Sequence, residues 1–104
     1  GKPLREFLFV DELSEAIEFL LDKDIEYDLL NVGSGEEISI KDLALKIKDI
    51  VQYEGDINYD LEKPDGNPRK LIDSTLINNL GWRSSISLED GISNTYSWYV
   101  DNLS

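Results

Sequence analysis

Leu13, Ala16, Ile17, Leu20 and Leu21 recur three and four residues apart, the spacing of a helix that buries one stripe. Asp11 stands where an N-cap is expected, and Glu12 and Glu15 follow near the positive end of the helix dipole. The stripe assigns the glutamates of this helix to solvent. A second helix is predicted from Ser39 as its cap, with Asp42 at the capping-box position and Ile38 able to staple to Leu43. Its apolar positions Leu43, Ala44, Ile47, Ile50 and Val51 continue to about Tyr53, and Gly55 is the expected stop. A short helix follows Ser74 and ends at Gly81. A last helix starts at the cap Ser87, with Leu88, Ile92, Tyr96, Tyr99 and Leu103 as its buried face. Gly91 inside it costs about 1 kcal/mol relative to Ala and predicts a close backbone approach.

Strands are predicted where the period changes. Residues 6–10 form a short apolar run, residues 27–32 a second one closed by Gly33-Ser34-Gly35, and residues 56–61 alternate strictly. Leu71 and Ile72 make a possible fourth. The pattern therefore predicts a small mixed α/β domain, three or four short strands with four helices, spanning residues 1–104 as one unit.

Composition narrows the chemistry. The chain has 104 residues, no Cys, no His and a formal net charge of -12. Disulfides, thiolate chemistry, a zinc site and a histidine base are excluded. The charge argues against nucleic acid as a partner, since phosphate backbones are repelled before contact. No stretch reaches the roughly 20 apolar residues of a membrane span. The opening Gly1-Lys2-Pro3, without Met, leads us to expect a piece of something longer. No pair of nucleophile and base can be assembled, so no catalytic residue is expected here.

Against that acidic background, Lys63-Pro64-Asp65-Gly66-Asn67-Pro68-Arg69-Lys70 gathers three of ten basic residues on a loop. Its two prolines and glycine fix the path, so little entropy remains to be lost when an anion binds. Arg69 and Lys70 are adjacent and point to opposite faces if extended, so one can reach a ligand while the other reaches an acidic neighbour. Asp65 is either a turn former bonded to its own backbone or an acceptor for a sugar hydroxyl or a base. Arg5 is either a solvated partner of Glu6 or another carboxylate, or a second anion contact. Gly33-Ser34-Gly35 follows an expected strand, yet it lacks a third glycine and its helix starts late. It reads as a structural turn rather than a dinucleotide or Walker loop.

Several blocks together resemble the C-terminal part of the GDP-L-fucose synthase family, within the extended short-chain dehydrogenases. They are residues 1–11 with Pro3-Leu4-Arg5-Glu6-Phe7, Leu30-Asn31-Val32-Gly33-Ser34-Gly35, residues 63–73 with Pro64-Asp65-Gly66-Asn67-Pro68-Arg69-Lys70, and Leu80-Gly81-Trp82. The resemblance implies a C-terminal substrate-binding domain whose Arg5, Asp65 and Lys70, and less strongly Arg69, contact a GDP-sugar. It implies that NADP and the catalytic residues belong to an N-terminal Rossmann domain absent here, and that this piece alone binds no cofactor and is inactive. The parent is expected to be a cytoplasmic, homodimeric enzyme that epimerises and reduces GDP-4-keto-6-deoxy-D-mannose. Two other readings stay open at this point: a related epimerase or dehydratase acting on another nucleotide sugar, and a freestanding acidic interaction module.

Overall fold

The computed structural model describes residues 1–23 and 29–103. Strand β1 (Leu4–Glu6) leads into helix α1 (Val10–Leu21), followed by strand β2 (Glu37–Ser39) and helix α2 (Ile40–Val51). Helices α3 (Thr75–Leu80) and α4 (Leu88–Asp101) complete the chain. The two strands pair antiparallel with Arg5 opposite Ile38, and α2 packs on α4.

Four helices appear as expected, with two strands among the described residues rather than three or four. The strand expected at residues 6–10 lies earlier, because the ladder partner at residues 37–39 selects Leu4–Glu6. Residues 7–9 leave the sheet, and Phe9 takes the N-cap position of α1 with extended backbone. Asp11 is consequently not the cap; it sits in the first turn, where its charge still faces the positive helix end. Of the strand expected at residues 27–32, residues 27 and 28 lie outside the described residues, and 29–32 form no strand. Residues 56–61 and Leu71-Ile72 are irregular too. Alternation supplies a face but not a neighbour, and a strand needs both.

Local signals did better. Ser39 Oγ accepts from Asp42 N at 3.1 Å, and Ser87 Oγ accepts from Asp90 N at 3.1 Å. Gly81 ends α3 with φ +114°, the left-handed conformation glycine adopts without strain. The end of α2 differs from expectation: Gln52, not Gly55, turns the chain, at φ 58°. The close approach at Gly91 is real, although its neighbour is a side chain. A Cβ there would lie 3.2 Å from Phe9 Cβ.

The buried core consists of Ala16, Ile77 and Trp82, with Leu8, Phe19, Leu20 and Val32 packed around it. Helix α1 presents Ala16 to this core but turns Val10, Leu13, Ile17 and Leu21 outward, Leu21 to 80 % exposure. Along α4, Gly91 is buried while Tyr99 is exposed, as are Trp98 at 66 % and, just past the helix, Leu103. The expected buried face of α4 is thus covered only near its start.

One glutamate contradicts the assignment of all α1 glutamates to solvent. Glu12 is fully buried, and its carboxylate accepts from Ser84 Oγ (2.8 Å), Ser85 N (2.7 Å) and Ile86 N (3.1 Å). Three donors replace the water it has lost, which is the condition for burying a carboxylate.

Candidate nucleotide-sugar site

Strand β1 holds the basic loop through two consecutive residues, Leu4 and Arg5. Leu4 N donates to Pro68 O at 2.9 Å, and Leu4 bridges Arg69 in parallel. Arg5 Nη1 donates to Leu4 O (2.7 Å) and to Asn67 O (2.8 Å). Its Nη2 lies so near Gly66 that a Cβ there would sit 3.3 Å away. Arg5 therefore does not pair with Glu6, the first of its two sequence readings; it bonds to the loop that carries the other expected contacts. Among the described residues, Nε–H and both Nη2–H groups make no hydrogen bond, a guanidinium having five donors of which Nη1 carries two.

Arg69 Nε pairs with Glu37 Oε1 at 2.5 Å. That hydrogen bond, and then the charge of Glu37, raises the Arg69 pKa. Of the adjacent cations, Arg69 is the one that reaches an acidic neighbour, on β2. Lys70 and Asp65 are exposed and form no ion pair among the described residues.

Glu6 and Glu37 were not singled out from the sequence. Their partners lie 29 and 32 residues away, beyond any local spacing rule. Alternation along β1 was the available signal: with Arg5 turned to the loop, Glu6 faces the other side. There its Oε2 accepts from Gly35 N at 2.6 Å and its Oε1 from Ile72 N at 3.4 Å. The turn at residues 33–35, which resembles a phosphate loop, is thereby filled by the protein's own carboxylate. The Gly35 N–H thus donates to Glu6 Oε2.

Two grooves lie elsewhere. One of about 740 Å³ is lined by Ser34, Glu36, Glu37, Asp42, Lys46 and Glu89 among others, and Lys46 is paired with Glu89. Its carboxylates repel a diphosphate, so its volume does not make it the site. The other, about 560 Å³, is apolar and runs between α2 and α4 past Phe9, Ile47, Ile92 and Tyr96. Arg5, Asp65, Arg69 and Lys70 line neither groove. Arg5 lies against the loop backbone and Arg69 against Glu37 of β2, while Asp65 and Lys70 are exposed. Among the described residues no helix is long and apolar enough to cross a membrane, and no group of three or more side chains is placed to hold a metal ion.

No protein-family model matches the chain. It is 50% identical over 103 residues to GDP-L-fucose synthase 1 of Arabidopsis thaliana, covering 99% of this chain and 32% of that protein. It is 40% identical over 111 residues to the GDP-L-fucose synthase of Escherichia coli strain K12, covering 98% of this chain and 35% of that one. A solved GDP-L-fucose synthetase from Naegleria fowleri, bound to NADP, superposes with a TM-score of 0.91 at 26% identity over 98% of this chain and 33% of that one. The chain thus spans about a third of the length of the relatives it matches.

Proposed function

We infer that this chain, homologous along its whole length to a third of the GDP-L-fucose synthases, is the C-terminal part of such an enzyme and holds its nucleotide sugar. The Arg5 bridge carries this reading: one guanidinium links strand β1 to the backbone of the basic loop, and three of its N–H donors have no partner among the described residues. Those donors suit bidentate contact with the diphosphate, and Lys70 adds a mobile point charge. Asp65 accepts from a hydroxyl of the sugar or from the base. Arg69, tied to Glu37, contributes less directly.

In the whole enzyme, GDP-4-keto-6-deoxy-D-mannose is epimerised at C3 and C5 and reduced at C4 to GDP-L-fucose. NADPH and the reacting side chains belong to the other two thirds of the protein, a Rossmann domain against which this chain packs. The parent works as a cytoplasmic homodimer. The role of the present residues is to grip the substrate away from the reacting carbons, and such remote binding energy lowers the barrier when it fixes the sugar in place. The exposure of Asp65, Arg69 and Lys70, outside either groove, fits this division of labour, because a second domain must supply the opposite wall.

The full-length protein, given NADPH and GDP-4-keto-6-deoxy-D-mannose, is expected to make GDP-L-fucose, and the 104-residue chain alone to make none. Arg5→Ala is expected to raise KM for the GDP-sugar at least about tenfold, the loss of one charge-assisted contact. Equal turnover of UDP- and dTDP-sugars by the full-length protein would overturn the assignment, and activity of the isolated chain would overturn the division between domains.

A further inference from the structure

We propose that Glu6 is a positioning residue that sets the place of Lys70 by pinning the exit of the basic loop to the turn at residues 33–35. The proposal rests on the substrate-binding reading above. Glu6 Oε2 accepts from Gly35 N at 2.6 Å, a charge-assisted bond to a donor fixed in the backbone. With that oxygen fixed, Oε1 faces Ile72 N at 3.4 Å, a longer contact that follows from the first. Gly33 makes room for this carboxylate. A Cβ there would lie 2.7 Å and 2.8 Å from its two oxygens, and the φ of Gly33 is not in the left-handed region, so the space and not the backbone calls for glycine.

The loop is consequently held at both ends of a short span. Leu4 N fixes Pro68, and Glu6 fixes Ile72. Lys70 stands midway between these points. A cation whose backbone is already ordered loses less freedom on meeting a phosphate than one on a loose segment. The turn that looks as if it should hold a ligand phosphate holds Glu6 instead, and Glu6 in turn holds the residue that faces the ligand. It touches no substrate atom; it acts through the loop.

The test uses the full-length enzyme with three variants. Glu6→Ala removes the carboxylate. Gly33→Ala leaves it in the chain but drives it from the turn, because the far end of a flexible side chain yields to a new Cβ. Glu6→Gln keeps one oxygen able to accept from Gly35 N but turns an NH2 toward Ile72 N, which it cannot accept from. Both alanine variants are expected to raise KM for the GDP-sugar about tenfold with kcat and the KM for NADPH within about twofold, the ordering of one long side chain being worth about that factor. Glu6→Gln, unable to accept from both N–H groups at once, is expected to raise the KM in the same direction. Unchanged KM in both alanine variants, or a glutamine variant with the wild-type KM, overturns the proposal. Amide exchange separates this from the parent reading. If the wild-type enzyme turns over no GDP-keto sugar, the substrate reading fails alone. Faster exchange at residues 70–72 in Glu6→Ala then still supports the pin, and unchanged exchange there overturns it.

Discussion

Helix α1 carries Asp11, Glu12, Glu15 and Glu18, and of these Glu12 alone turns inward. Its carboxylate ties the start of α1 to the segment before α4 by bonds to Ser84, Ser85 and Ile86. Glu12→Ala leaves two backbone N–H groups without an acceptor, each costing about 1 to 3 kcal/mol where water cannot reach. Urea unfolding is expected to show a loss on the order of 3 kcal/mol, whereas Glu15→Ala, on the exposed side, is expected to fall within about 0.5 kcal/mol of wild type. Neither Glu12 nor Glu6 was legible as a structural anchor. A glutamate beside an apolar stripe reads as solvated until the distant N–H groups that meet it are known. The basic loop stood out as a candidate because three of ten basic residues gather on it in so acidic a chain, and Arg5 stood out only through the Pro-Leu-Arg-Glu-Phe block.

At the scale of elements, what could be read was what is local. The caps Ser39 and Ser87 and the stop at Gly81 involve atoms within a few residues of one another, and all three are found. Strand β2, with a single apolar residue in Glu37-Ile38-Ser39, exists because β1 lies beside it, and no periodicity reports that. Gln52 shows the same limit at a helix end: a non-glycine residue takes φ 58° there. Gln52→Gly relieves that strain but frees the unfolded chain, so a net gain of about 0.5 kcal/mol in chemical denaturation is expected. Between elements, Lys46 of α2 pairs with Glu89 of α4 at 2.5 Å. This hydrogen bond, and then the Lys46 charge, lowers the Glu89 pKa below 4.5. A carboxyl whose folded pKa is lowered adds stability that is present above its unfolded value and disappears as pH falls through the folded one. Since Glu89 is exposed, the effect is small and screened by salt. Acid titration at low ionic strength is expected to show Glu89→Gln less stable than wild type near neutrality and equal to it once the carboxyl of the latter is protonated.

For the whole molecule, the radius of gyration is 16.4 Å, against about 13 Å for a compact domain of roughly 100 residues. Its fully covered apolar core is small, while Val10, Leu13, Ile17 and Leu21 form an outward stripe three and four residues apart along α1. Apolar surface of this kind normally meets another surface. The isolated chain is therefore expected to self-associate, and Ile17→Glu to reduce that association without lowering the melting temperature. Sedimentation velocity checks the association and a thermal melt the stability, and an unchanged oligomer distribution would show that the stripe is not the contact. The hydrophobic pattern had placed these residues inside. The pattern was correct about their character; what it could not specify was whether the covering surface lies within these 104 residues.

The two tryptophans stand in opposite surroundings: Trp82 is 8 % exposed within the core, and Trp98 is 66 % exposed on α4. Emission from the first tracks unfolding, while emission from the second stays red-shifted and open to aqueous quenchers for as long as that part of α4 is bare. Trp98→Phe leaves a spectrum that reports only the interior, and Trp82→Phe leaves one that shifts to the blue only when another surface settles over the helix. The molecule thus carries separate optical gauges for its folding and for the covering of its last helix, with no dye attached.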